Sequence, residues 1–183
     1  MQRMEFILKI KPACLASERL HGIPWRWLVY QAIQESGGYG LSDLSVKAKN
    51  LYGIKGKDYY QGKVGYAKFA SWDEAVMFQG WQLNQRLYLP FKPLVQQGKY
   101  KEYGNAIQKA GWCAPSTPGY GDMIYEIAEN YAGVLKDPAT STLSNAQSWA
   151  VKSGVFDEPV DWDKPITYNT LAWALFKAQG GKA

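Results

Sequence analysis

Glu35 is the residue whose type and setting best suit acid–base chemistry. It stands in Ala32-Ile33-Gln34-Glu35-Ser36-Gly37-Gly38-Tyr39-Gly40. Leu28, Val29, Ala32 and Ile33 fall at helical spacing, so a helix is predicted to end near the glycines. Glu35 then lies near the buried stripe, in the last turn, where backbone carbonyls point outward. The helix dipole disfavours a negative charge there by about 0.3–1 kcal/mol. Apolar neighbours add a desolvation cost that raises the carboxyl pKa. A carboxyl kept protonated near neutral pH is what a general acid needs. The same spacing also describes a solvated Glu before a helix-ending glycine, and spacing alone does not choose between the two.

Other chemistry is sparse. Asp58 is the only acid between Asp43 and Asp73. Cys14 and Cys113 are the only cysteines, and His21 is the only histidine. No CxxC or Cys/His cluster is present, so neither a metal site nor a cofactor is expected. The two cysteines suit either one disulfide or two free thiols.

The elements that must hold Glu35 can be read in order. A helix is predicted over 4–20, with Ile7, Ile10 and Cys14 on one face and Pro12 as its irregularity. Pro24 suits the first position of the helix that ends at Glu35, and its Trp25 and Trp27 read as packing residues. Ser42 starts a short helix to residue 49, and Asn50 to Gly56 form a turn. Residues 57–70 change period and suggest a hairpin. Ser71 and Glu74 form a capping box for a helix through Trp72, Val76, Leu83 and Leu87. Leu89-Pro90 and Lys92-Pro93 break it. Tyr103, Ala106, Ile107 and Ala110 mark a further helix, and a loop occupies 115–119. Tyr120 to Leu135 carry the cleanest amphipathic pattern in the chain. A linker at 137–142 leads to two short predicted helices, one carrying Trp149 and one starting at Thr167.

The expected fold is therefore mainly α, with a helical domain, a small β-hairpin lobe and a C-terminal helical appendage. The domain is expected over 1–137 and the appendage over 138–183. Roughly forty residues rarely make a core alone, so the appendage is expected to dock on the domain or on a second copy.

Composition sets limits on partners. The chain has 183 residues, 46% hydrophobic and 20% charged, which suits a folded core rather than disorder. The net charge of +5 favours an anionic partner, but no run of Lys or Arg is dense enough to be a nucleic-acid arm. No stretch approaches a membrane span. Phe6-Ile7-Leu8 before Lys9 is too short for a signal-peptide core. Aromatic residues make up 15% of the chain, and rings pack well on the C–H faces of sugars. A cleft between the helical and hairpin lobes would suit an extended polymer.

The run from Ala32-Ile33-Gln34-Glu35-Ser36-Gly37 to Asn50-Leu51-Tyr52-Gly53-Ile54-Lys55-Gly56 resembles the signature of the glucosaminidases of glycoside hydrolase family 73. Ala67-Lys68-Phe69-Ala70-Ser71-Trp72 and Pro118-Gly119-Tyr120 extend the likeness, which covers about residues 5 to 136. The resemblance implies a lysozyme-like fold and an endo-β-N-acetylglucosaminidase that cuts the β-1,4 bond after N-acetylglucosamine in peptidoglycan. It makes Glu35 the proton donor and places Ser36, Gly37, Asn50, Tyr52, Gly53 and Trp112 against the glycan. Members commonly carry a second acid in a longer hairpin lobe, and here Asp58 is the candidate, either positioning water or lying on the surface. They also tend to carry a Gly-Tyr-Ala-Thr-Asp-Pro run where this chain has Gly111-Trp112-Cys113-Ala114-Pro115-Ser116-Thr117-Pro118. Tyr120 is the position that carries the family's tyrosine over, with Trp112 the other candidate.

Glycosidases usually use two carboxylates, but the substrate's own 2-acetamido oxygen can replace one of them. That route needs an acid and a group to orient the acetamide, and Tyr120 suits the second task. Two alternatives stay open: a lytic transglycosylase on the same polymer, and a catalytically weak wall-binding or virion structural module. The expected partners are peptidoglycan strands and anionic wall polymers, with neither nucleic acid nor membrane. A wall enzyme without a visible signal would be phage- or prophage-encoded, or released by lysis. Trp149-Ala150, Gly154-Val155 and Pro165-Ile166-Thr167 faintly resemble part of a surface-layer-homology repeat, and a packing appendage is the simpler reading.

Overall fold

The computed structural model describes residues 3–114 and 119–135. Residues 115–118 of the loop expected at 115–119, and the linker and helical appendage expected from residue 137, lie outside the described residues.

Helix α1 spans Arg3–His21 and runs through Pro12 without ending. It buries Phe6, Ile7, Ile10, Cys14 and Ser17, one stripe at three- and four-residue spacing. Helix α2 spans Trp25–Glu35, with Pro24 one position earlier than expected, at the N-cap. Every residue from Trp27 to Ile33 is buried. A helix apolar on all sides must be surrounded. It packs against α1, α4 (Trp72–Leu83) and α7 (Tyr120–Tyr131). Trp25 and Trp27 are core residues. Cys14 is buried, Cys113 half-buried, and both are free thiols.

Helix α3 spans Asp43–Lys47, and the Ser42 hydroxyl accepts from the Ser45 N–H. Strand β1 (Lys55–Gln61) pairs antiparallel with β2 (Val64–Tyr66). The strands are joined by a two-residue turn, with Gly62 at φ 61° in its first position. Lys55 and Tyr59 both face Tyr66, so a bulge occupies residues 56–58. Gly56 lets the strands close there, since a Cβ on it would lie 2.6 Å from the Ala67 nitrogen.

The Ser71 hydroxyl caps α4 by accepting from the Glu74 N–H at 3.1 Å. The Glu74 carboxylate reaches back to the Ala70 N–H rather than to that of Ser71. The helix stops at Leu83, four residues before the expected Leu87. Bonds to the third residue back, Asn84 to Trp81 and Gln85 to Gln82, tighten the chain there. The prolines that follow do not merely break structure. A 3-10 turn at Leu89–Phe91 leads into α5 (Lys92–Gln96), and Pro93 lies in its first turn, where no N–H is needed.

Helix α6 spans Tyr100–Lys109 and crosses α7 at two glycines. A Cβ on Gly104 would lie 2.6 Å from the Gly121 Cα. Residues of α6 also cap α7. Gln108 Oε1 accepts from the Tyr120 N–H and Asn105 Oδ1 from the Gly121 N–H, each at 3.2 Å. These bonds satisfy free N–H groups at a helix start whose N-cap, Gly119, has no side chain. They also fix Tyr120. Helix α7 ends at Tyr131, short of the expected Leu135. Leu135 is nonetheless buried, and its carbonyl accepts from Arg26 Nε at 2.8 Å.

Candidate active site

Glu35 is the last residue of α2 and is half-buried. The Tyr120 hydroxyl donates to its Oε1 at 2.7 Å, and Trp112 Nε1 donates to the same oxygen at 3.2 Å. Burial pushes the carboxyl pKa up, while the bonds from Tyr120 and Trp112 and the nearby charge of Lys55 pull it down; the net direction is upward. The side chain is thus held, partly withdrawn from water, and biased toward its neutral form.

Tyr120 opens α7 and is 2% exposed. Its oxygen also receives the Trp112 indole N–H at 3.0 Å and the Gln31 amide at 3.1 Å. The hydroxyl expected to orient an acetamide therefore has three protein partners. Trp112 lies between α6 and α7 and packs edge-on against Tyr88, with ring centres 5.9 Å apart. Tyr120 and Trp112 both reach Glu35.

The glycine-rich exit from α2 is held from inside. Ser36 is buried, and its hydroxyl accepts from the Gly40 N–H at 2.9 Å. Gly37, Gly38 and Gly40 all have positive φ, as does Tyr39. Gly37, two residues after Glu35, is exposed.

Asn50 ties the next turn together. Its amide donates to the Ile54 and Ala67 carbonyls at 2.8 and 2.9 Å, and its Oδ1 accepts from the Ile54 N–H at 3.0 Å and the Tyr52 N–H at 3.3 Å. Tyr52 is buried, and its hydroxyl donates to the Leu28 carbonyl at 3.2 Å. Ser36, Asn50 and Tyr52, expected against the glycan, thus have buried side chains that bond to backbone. What they bring to the site is Gly53. A Cβ built there would lie 3.8 Å from Glu35 Oε2, and φ of 65° suits glycine.

Asp58 lies in the bulge of β1, exposed, outside the hydrogen-bonded group around Glu35. The hairpin reaches Glu35 electrostatically through Lys55, whose ammonium sits 4.1 Å from the Tyr66 ring centre. Among the described residues no group of three His, Cys, Asp or Glu side chains could hold a metal. Among the described residues no helix is long and apolar enough to cross a membrane.

Sequence reasoning missed Gln31 and Gln79, both fully buried. A signal was present. Trp27, Gln31 and Glu35 recur every fourth residue, so they share one face of α2.

Comparison with known proteins gives the family and the fold. A family model described as Glucosaminidase, mannosyl-glycoprotein endo-beta-N-acetylglucosaminidase, matches residues 11–133. The exo-glucosaminidase LytG of Bacillus subtilis is 31% identical over 176 residues, covering 82% of this chain. The chain spans 58% of that relative's length. The glycoside hydrolase domain of Salmonella typhimurium FlgJ superposes with a TM-score of 0.53 at 18% identity, covering 85% of this chain and 98% of that one. The catalytic domain of the autolysin Auto from Listeria monocytogenes gives 0.52 at 19% identity, covering 70% and 84%. These structural likenesses are of fold, and the fold they share is the mainly α, lysozyme-like one with its small sheet.

Proposed function

The chain belongs to the glucosaminidase family, and from that premise we propose that it is an endo-β-N-acetylglucosaminidase acting on the β-1,4 bonds of peptidoglycan, with Glu35 as general acid. The observation that carries this reading is the Glu35 carboxyl. It is half-buried, gripped on Oε1 by Tyr120 and Trp112, with Oε2 toward Gly53.

The chemistry follows from that placement. Neutral Glu35 gives its proton to the bridging glycosidic oxygen as the C1–O bond breaks and the bond electrons leave with that oxygen. The substrate's 2-acetamido carbonyl oxygen bonds to C1 from the other face and forms an oxazolinium ring. Water then adds to C1, Glu35 carboxylate takes the water's proton, and the ring reopens to the acetamide. Glu35 ends protonated again. Two donors on Oε1 stabilise the carboxylate that exists between the two halves. Acetamide participation is favoured over a second carboxylate because Asp58 is exposed on the hairpin and is not among the hydrogen-bond partners of Glu35.

Digestion of purified cell-wall sacculi by the full chain, followed by mass spectrometry, tests the reading. New reducing N-acetylglucosamine ends on multi-sugar fragments are expected. Anhydro-muramic ends would make it a lytic transglycosylase, and release of single sugars alone would remove the endo assignment. No cleavage would leave a wall-binding module.

A further inference from the structure

The Gln31 amide has one permitted orientation. Its Oε1 accepts from Trp27 Nε1 at 3.2 Å and from Gln79 Nε2 at 2.8 Å. An indole N–H is only ever a donor, so turning the amide over would set donor against donor. Nε2 therefore faces the Tyr120 oxygen, 3.1 Å away. The Trp112 indole, again only a donor, approaches the same oxygen at 3.0 Å. With two donors directed at its lone pairs, the Tyr120 hydroxyl sends its own proton to Glu35 Oε1. Oε1 is thereby an acceptor, from Tyr120 and from the shared Trp112 N–H. In the neutral carboxyl the acidic proton then belongs on Oε2, the oxygen beside Gly53.

We propose that Gln31 is a positioning residue: pinned by Trp27 and Gln79, it sets the direction of the Tyr120–Glu35 hydrogen bond and confines the transferable proton to Glu35 Oε2. This rests on Glu35 being the general acid. Gln31 touches neither carboxyl oxygen and acts through Tyr120. Trp27 and Gln31 both come from α2, and the other links join different elements: Gln79 from α4, Tyr120 from α7, Trp112 from the loop after α6. The charged or titratable groups that bear on the Glu35 carboxyl are Tyr120 from α7 and Lys55 from β1. Replacing Gln31 leaves both side chains in the protein and takes from Tyr120 only the Gln31 hydrogen bond.

The test uses the full chain, a soluble chitooligosaccharide for kcat and KM, and the pH dependence of kcat/KM. Gln31→Met keeps the length and removes the amide. It is expected to lower kcat about tenfold or more, because the donor group loses its alignment, with KM within about twofold. The basic limb is expected to move to higher pH, since a carboxylate that loses an aligned donor holds its proton longer. The pair Gln31→Met with Tyr120→Phe is expected to be no slower than Tyr120→Phe alone, within about twofold, because both act through one hydroxyl. Wild-type kcat with an unmoved limb in Gln31→Met, or losses that multiply in the pair, would overturn the proposal.

Should Gln31→Met not fold, Gln79→Met carries the test. The Gln79 Oε1 has no hydrogen-bond partner, so this change also removes an orphan acceptor. A few-fold lower kcat and the same upward limb shift are expected, and an unchanged profile overturns the role of Gln31. Glu35→Gln separates the two levels. If it stays active, the reading of the site fails and this proposal with it. If it is dead while Gln31→Met is unaffected, only the positioning role fails.

Discussion

Glu35 and Asp58, the two carboxylates considered for the chemistry, are built in opposite ways. Glu35 closes a buried helix and has donors on one oxygen from two other segments. Asp58 lies in an exposed bulge of a two-stranded hairpin, outside that bonded group. A group that must hold a proton above its ordinary pKa needs burial and fixed neighbours, and both come from packed helices. A surface that receives a long polymer needs neither. Under the proposed function, the proton chemistry belongs to the helical side, and the hairpin contributes surface and, through Lys55, charge.

The sharpest way to break this contrast is to neutralise each carboxylate in turn. Glu35→Gln is expected to lower the rate of wall lysis about 10²- to 10⁴-fold. Zymography on purified walls reads that loss, and near-full activity would move the acid elsewhere. Tyr120→Phe comes next. It leaves the Gln31 amide and the Trp112 indole without their shared acceptor and frees Oε1 of its shortest bond. A loss of about ten- to a hundredfold in kcat is expected, with the basic limb of the pH profile moved upward. A wild-type profile would show that the hydroxyl does not set the acidity of Glu35.

A stability measurement examines the same carboxyl without substrate. Burial raises the folded-state pKa of Glu35 above its unfolded value. The stabilisation linked to its proton is then full below the unfolded pKa and lost as pH rises through the folded one. Glu35→Gln cannot ionise, so its melting temperature should gain on the wild type between acid and neutral pH. A constant difference across that range would contradict the sign. The smallest effect belongs to Asp58→Asn, expected to change kcat less than about threefold and stability by no more than about 0.5 kcal/mol. A loss comparable with that of Glu35→Gln would bring the hairpin into the chemistry.

Much of the frame was legible because local rules decide it. Ser42 and Ser71 cap helices as their types suggest, and Glu35 ends its helix where the glycines begin. Helix ends that depend on bonds to the third residue back, as at Asn84, left no such mark. The helix over Lys92–Gln96 was hidden because proline at a first turn and proline as a breaker look alike in sequence.

Site residues divide similarly. Position marked Glu35 as a candidate without choosing between a buried and a solvated carboxyl, and a family likeness marked Tyr120 and Trp112; the structure brings the three together. Ser36, Asn50 and Tyr52 sit in irregular backbone, where residue type does not reveal which way a side chain faces. There the structure turns all three inward. Gln31 and Gln79 meet only because α2 and α4 cross, a fact of tertiary packing. The caps that Asn105 and Gln108 place on α7 have the same origin.

Carboxyl ¹³C NMR titration of the full chain, with the Glu35 signal assigned by its absence in Glu35→Gln, addresses the buried donor itself. A midpoint for Glu35 above the ordinary glutamate range is expected, rising further in Tyr120→Phe. A midpoint at or below that range, unmoved by loss of the tyrosine hydroxyl, would contradict it.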